Sequence, residues 1–192
     1  MRKLTRADIR GPKLYEGFRD DLRKRVIAVK RLRRVSVGPQ VSLVFENRTT
    51  MISQVEEMCR AEQISEPDKI QHEIDTYNEI LPDAGQLAAT LLIEITDETQ
   101  IERTLERLVG LQDHVWLVIG GERTKAEFDA EQFAADKLAA VQYLKFSLST
   151  SAQKALTTAG TAVGLAIDHP SYRYEARLGE ESRASLAEDL AS

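Results

Sequence analysis

The sequence predicts an α+β fold, with a largely antiparallel sheet of about six or seven strands in the C-terminal half and N-terminal helices packed on it. Apolar residues recur at helical spacing as far as about residue 81, strand patterns prevail from Leu87 onward, and a hairpin signal joins neighbouring strands. The 192 residues, 42% hydrophobic and 30% charged, suffice for one packed core. We therefore expect a single domain over 1–192, helix-rich over 1–85 and strand-rich over 86–192.

Three helices are predicted in the N-terminal half. A long one is expected from Leu14 to about Arg34, because apolar residues at three- and four-residue steps form one stripe. Gly11-Pro12 indicates a turn before it, so residues 5–10 form a separate short piece capped by Thr5. Two further helices are expected over about 50–62 and 68–81. The stripe of the long helix comprises Leu14, Phe18, Leu22, Val26, Val29 and Leu32.

Strands dominate the remainder. Alternation predicts a half-buried strand over 41–47, and a buried strand is expected over 89–95 before a helix capped by Asp97. The clearest hairpin joins 115–119 to 123–128 through Gly120-Gly121, since paired glycines suit a turn with positive φ. Three more strands and a closing helix are expected over 141–148, 162–167, 172–178 and about 180–190.

Charge is distributed unevenly along the chain. Residues 1–34 contain thirteen Lys and Arg against four Asp and Glu, although the whole chain carries a net charge of −5. On the long helix Arg19, Arg23, Lys30 and Arg34 lie opposite the apolar stripe, and they are the candidate partner-binding residues. The alternative is that this basic face lies against the acidic helices of residues 46–83, which contain ten Asp and Glu against three Lys and Arg.

Several classes of protein are disfavoured by the sequence. The acidic pI of about 5.4 and the lack of aromatic residues among the basic ones argue against a nucleic-acid binder. Apolar runs such as Leu91-Leu92-Ile93 are far too short for a membrane helix, and no secretory signal is recognisable, so a cytoplasmic protein is expected. No phosphate-binding glycine motif occurs, and no nucleotide cofactor is predicted.

Four residues are candidate metal ligands. His72 and Asp75 lie on one face of a predicted helix, and His169 follows a predicted strand. Glu62 falls in the apolar stripe of the helix before them, so it is either a buried carboxylate or a residue just beyond the helix end that turns into water. A divalent metal is the one cofactor that these residues suggest. The single cysteine, Cys59, lies on an apolar stripe and is expected to be an inert core residue.

The chain also resembles an uncharacterised bacterial family classed as a domain of unknown function. The matching stretches are Leu4–Ile9, Arg33–Gly38, Leu43–Arg48, Glu57–Glu62, Asp75–Asn78, Ala89–Glu94, Val141–Tyr143 and Asp168–Pro170. The resemblance implies a redox or peroxide-defence setting, because such proteins are encoded near rubrerythrin-like proteins and iron–sulfur proteins similar to subunits of anaerobic glycerol-3-phosphate dehydrogenase or heterodisulfide reductase. It implies no catalytic residue.

Two hypotheses of function follow. The first is an accessory protein that binds a redox partner, which would be the rubrerythrin-like or the iron–sulfur protein. The alternative is a metal-dependent or small-molecule enzyme that uses Glu62, His72, Asp75 or His169.

Overall fold

The computed structural model describes residues 1–129 and 138–191. Within these residues the helices are α1 (Pro12–Tyr15), α2 (Arg19–Arg33), α3 (Arg48–Ala61), α4 (Pro67–Ile80), α5 (Ile101–Arg107), α6 (Thr150–Thr157) and α7 (Glu180–Leu190). The strands are β1 (Arg34–Val37), β2 (Val41–Glu46), β3 (Gln86–Ile93), β4 (Val115–Ile119), β5 (Glu122–Lys125), β6 (Glu127–Phe128), β7 (Val141–Ser147), β8 (Val163–His169) and β9 (Tyr172–Arg177). None of the described helices combines the length and the apolar character needed to cross a bilayer.

The strands form two antiparallel sheets. The order is β1-β2-β3-β7-β6 in the five-stranded sheet and β5-β4-β8-β9 in the four-stranded sheet. The α+β class and the antiparallel arrangement are confirmed. The expectation of one sheet in the C-terminal half is wrong. The strands divide between two sheets, and residues 34–46 in the N-terminal half supply β1 and β2. Alternation in a sequence shows which face of a strand is buried, but it does not show which strand lies beside it.

Residues 122–128 supply an edge strand to each of the two sheets. β5 pairs with β4, whereas β6, one residue further on, pairs with β7 in the other sheet. Between them Ala126 is buried and donates its N–H to the carbonyl of Val115 over 2.9 Å. The predicted hairpin is confirmed as far as Lys125, and its turn residues Gly120 and Gly121 have φ values of 58° and 91°.

The main hydrophobic core lies between the two sheets. Alternate residues of the strands face inward, and residues from α6 and α7 join them. Removing such side chains from water stabilises the fold by about 1.5–3 kcal/mol each. Fully buried members of this core include Leu43, Phe45, Leu87, Leu91, Leu117, Leu165, Phe146, Leu156 and Leu186.

A second apolar cluster joins α3 and α4 to the N-terminal segment. Leu4 and Ile9 of that segment pack with residues of both helices, and Cys59 is fully buried among them. Burial raises the pKa of the Cys59 thiol, so the expected inert core role fits its surroundings. Thr5 is the N-cap residue of the short 3-10 helix Arg6–Asp8, as the sequence predicted. Its backbone N–H and its hydroxyl donate to the Asp8 carboxylate over 2.8 and 3.0 Å, and its carbonyl accepts from the Asp8 N–H over 2.9 Å.

The long helix expected from Leu14 to Arg34 is interrupted. α1 ends at Tyr15 and α2 begins at Arg19, with Gly17 between them, and Arg34 already belongs to β1. The residue buried in α1 is Tyr15, whose hydroxyl donates to the Glu57 carboxylate over 2.8 Å. Because α1 turns Tyr15 inward, Leu14 of the predicted stripe is left 64% exposed.

Arg33, the last residue of α2, is the largest fully buried side chain in the described structure. Its guanidinium forms a two-pronged ion pair with Asp189 of α7, with Nη1–Oδ2 and Nη2–Oδ1 distances of 2.8 and 2.7 Å. It also donates to the hydroxyl and carbonyl oxygens of Ser185 over 3.1 and 2.6 Å, and a longer contact of 3.5 Å reaches the Glu46 carbonyl. All five N–H donors of the guanidinium therefore have acceptors.

The tyrosine Tyr172 ties the two sheets together at the turn between β1 and β2. Its hydroxyl donates to the Val37 carbonyl over 2.7 Å and accepts from the backbone N–H groups of Gln40 and Val41 over 3.0 and 3.1 Å. Gly38 in this turn has a φ of +77°, and a Cβ there would lie 2.5 Å from Cγ of Tyr174. The turn is therefore held by hydrogen bonds and has no room for a side chain at position 38.

A substitution at Gly38 tests this packing. Gly160 is the matched control, because it has a similar φ of +79° and a Cβ at this position would have no other atom within 4 Å. We expect Gly160→Ala to lose about 1 kcal/mol of unfolding free energy from backbone strain alone. Gly38→Ala should lose at least about 2–4 kcal/mol, because overpacking against the tyrosine rings adds to the strain. Equal losses for the two variants in urea denaturation would contradict the tight packing.

Candidate functional site

The exposed side of α2 is the strongest candidate for a functional surface. Val26 and Arg33, two helical turns apart, face inward and fix the rotation of the helix. The outward side therefore carries Ile27, which is 65% exposed. Its neighbours one turn away in either direction are all basic. We call this set the α2 surface, and it comprises Arg23, Lys24, Ile27, Lys30 and Arg31.

Two of the predicted partner-binding residues lie on this surface. Arg23 is exposed and Lys30 is half-buried, and neither forms an ion pair with any residue in the described ranges. The same holds for Arg31, while Lys24 has only a long contact of 3.9 Å with Asp21. The positive charge here is therefore largely unneutralised by the residues that the structure describes.

The other two predicted residues are used inside the molecule. Arg34 pairs with Glu94 over 2.5 Å. Arg19 forms two hydrogen bonds with Glu57 of α3, at 2.8 and 3.2 Å. The start of α2 thus lies against an acidic helix, as the intramolecular alternative proposed, whereas the middle of α2 does not.

Glu57 shows how firmly Arg19 is held. Partial burial disfavours the charged carboxylate, but hydrogen bonds from Arg19, Tyr15 and Arg60 outweigh this effect and lower the pKa of Glu57 to about 2. The carboxylate therefore stays ionised at neutral pH and keeps Arg19 away from any external partner.

The predicted metal ligands lie on separate elements. His72 and Asp75 are exposed on α4, where the side-chain amide of Gln71 donates to Asp75 over 2.8 Å. Helix α3 ends at Ala61, so Glu62 is its exposed C-cap residue and not a buried carboxylate. Over residues 1–129 and 138–191, no group of three or more His, Cys, Asp or Glu is placed to hold a metal ion.

His169 lies at the end of β8 and is buried. Its Nε2 is 3.0 Å from the Val109 carbonyl, to which it donates, and its Nδ1 accepts from the Ser171 N–H over 3.2 Å. Both ring nitrogens therefore form hydrogen bonds within the chain. The rings of His114 and His169 pack nearly perpendicular to each other, with 5.3 Å between their centroids.

Besides Asp189, two buried carboxylates were not predicted from the sequence. Glu56 of α3 is fully buried and accepts from the backbone N–H groups of Arg10 and Gly11 over 2.5 and 3.1 Å. Glu46, at the end of β2, accepts from the Thr90 hydroxyl over 2.6 Å. The periodicity of α3 placed Glu62 on its buried stripe, whereas Glu56 faces the N-terminal segment, whose position the helix pattern does not reveal.

Comparisons with known proteins agree with this α+β structure. The family described as "Protein of unknown function (DUF3501)" matches residues 3–190, and the chain belongs to that family. The chain is also similar to a protein of unknown function from Burkholderia pseudomallei, whose crystal structure it matches with a TM-score of 0.92 at 38% sequence identity. That match covers 98% of this chain and 100% of the other. No curated protein is significantly similar.

Proposed function

We propose that this protein is a non-catalytic accessory protein that binds a redox partner protein through the α2 surface. The observation that carries the proposal is Ile27, an aliphatic side chain that is 65% exposed within a ring of basic residues. An exposed apolar residue surrounded by charged ones has the composition of an interface centre with its rim.

The charge of the surface defines the chemistry of the partner. Unneutralised cations favour an acidic partner face, which would speed association at low salt and fix the orientation of the complex. Ile27 would occupy an apolar pocket within that acidic face. The redox class of the partner rests on the family resemblance, which implies a rubrerythrin-like or an iron–sulfur protein as the neighbour.

Charge reversal on the α2 surface tests the proposal. Arg23→Glu combined with Lys30→Glu should lower the affinity for the rubrerythrin-like or iron–sulfur partner at least about tenfold, since like charges across an interface cost several kcal/mol. Ile27→Ala alone should weaken binding by about tenfold, as expected for a central apolar contact. Co-purification followed by titration at two salt concentrations gives both values.

The matched control is Arg103→Glu together with Arg177→Glu. Both residues are exposed and lie outside α2, on α5 and β9. This variant carries the same change in net charge and should bind as the wild type does. If neither partner co-purifies with the wild type, or if both charge-reversed variants bind equally well, the proposal is wrong.

One observation favours the alternative, a metal-dependent or small-molecule enzyme. Asp75 lines an open cleft of about 440 Å³ together with Glu79 and Asp83, and Lys3 and Lys145 line it as well. Lys3 pairs with Asp83 over 3.2 Å, so the carboxylates are partly neutralised.

Metal analysis of protein purified without a tag tests this alternative. A stoichiometric divalent metal that is lost from Asp75→Asn, Glu62→Gln, His72→Ala or His169→Ala would support the enzyme. Sub-stoichiometric metal that these substitutions leave unchanged would remove its support. Circular dichroism confirms that each variant is folded.

A further inference from the structure

A second surface feature, separate from the α2 surface, has the character of a small-molecule site. It is a cleft of about 390 Å³ between the β1–β2 turn, the end of α5 and the start of β9. Its size falls within the range of about 300–1,000 Å³ that ligand pockets occupy. The lining residues that carry an amide, a guanidinium group or a phenol ring are Gln40, Arg107, Tyr172, Arg173 and Tyr174.

The charged residues that line the cleft are both arginines. Arg107 donates to the side-chain oxygen of Gln40 over 2.5 Å, and this contact holds its guanidinium at the cleft. Neither Arg107 nor Arg173 forms an ion pair within residues 1–129 and 138–191. No carboxylate of the described residues lines the cleft, so its charge is positive throughout.

The carboxylate nearest in register to Arg173 is already used. Asp168 lies opposite Arg173 in the pairing of β8 with β9. It accepts hydrogen bonds from Arg123 over 2.8 Å and from the indole N–H of Trp116 over 3.1 Å. Its Oδ1 also lies 3.2 Å from Nδ1 of His114. These contacts engage both carboxylate oxygens of Asp168, which forms no ion pair with Arg173.

A rigid aromatic wall adjoins the arginines. The Tyr172 hydroxyl fixes the β1–β2 turn, and Gly38 in that turn packs against the Tyr174 ring. The Tyr172 and Tyr174 rings lie 4.6 Å apart. Tyr174 nevertheless keeps 43% of its surface exposed, so part of this anchored residue is accessible to a ligand.

We propose that this cleft binds a small molecule that carries a planar ring and an oxyanion, either phosphate or carboxylate. Arginine binds an oxyanion with paired hydrogen bonds, and two arginines line this cleft without a carboxylate beside them. The exposed ring of Tyr174 stacks against the planar part of the ligand. The site does not depend on the α2 surface, and its ligand does not depend on the redox partner.

An NMR titration with phenyl phosphate and with benzoate tests the site and separates the two oxyanions. We expect at least one of them to bind in the millimolar range or tighter and to shift the amide signals of Gln40, Ser171 and Tyr174. Inorganic phosphate alone should bind at least about tenfold more weakly, because it lacks the ring. Phosphate binding as tight as that of phenyl phosphate would show that the ring plays no part and would overturn the proposal.

Substitutions locate the binding. Arg107→Gln and Arg173→Gln should each lower the affinity for the probe by about tenfold, equivalent to about 1.4 kcal/mol of binding free energy. The matched controls are Arg103→Gln, one turn earlier on α5, and Arg177→Gln, further along β9, which are exposed and do not line the cleft. Tyr174→Leu should lower the affinity for phenyl phosphate and benzoate and leave the affinity for inorganic phosphate unchanged. No binding of either probe by the wild type, or equal losses in the controls, would overturn the proposal.

Discussion

The buried ion pair between Arg33 and Asp189 is the constraint on which the position of α2 depends. It joins residues separated by 156 positions, and both side chains are almost completely removed from water. Such a pair gains little net free energy over an apolar contact, because both ions lose their hydration. Removing one partner is nevertheless costly, since it leaves a single charge buried. The pair therefore acts mainly as a geometric requirement, in which α2, α7 and the end of β2 meet in one arrangement.

The α2 surface follows from that requirement. With Arg33 and Val26 facing inward, α2 has one rotation about its axis, and this rotation turns Ile27 outward. At its start, Arg19 is held by Glu57, so both ends of the helix are fixed. A surface presented by a helix fixed at both ends is preorganised, and binding to it loses little conformational entropy.

Elements with a strong local pattern were predictable from the sequence. The helices α3, α4 and α7, the β4–β5 hairpin and the strand β9 were found because periodicity, proline positions and paired glycines are local signals. The helix α6 was missed, although Ser149 caps it by accepting from the Ala152 N–H. The division into two sheets was also missed, because it depends on a strand boundary at Ala126 that no local pattern marks.

The candidate site was only partly predictable, for a similar reason. The sequence located the basic face of α2, but it could not distinguish Arg23, which has no ion pair within the described residues, from Arg19 and Arg34, which have carboxylate partners elsewhere in the chain. Nor could it identify Arg33 as a buried ion-pair residue, because its partner Asp189 lies near the other end of the chain. The cleft lined by Arg107 and Arg173 was not predicted, since these residues lie 66 positions apart in the sequence and line one cleft only in the folded chain.

A double-mutant cycle on Arg33→Met and Asp189→Leu measures most directly whether this ion pair anchors α2. Each single substitution should lower the free energy of unfolding by about 3–5 kcal/mol, because it leaves one buried charge unpaired. The double variant, with no buried charge, should lose much less than the sum, giving a coupling of at least about 2 kcal/mol in urea denaturation. Additive losses would contradict the account, because they would show that the two side chains stabilise the fold independently of each other.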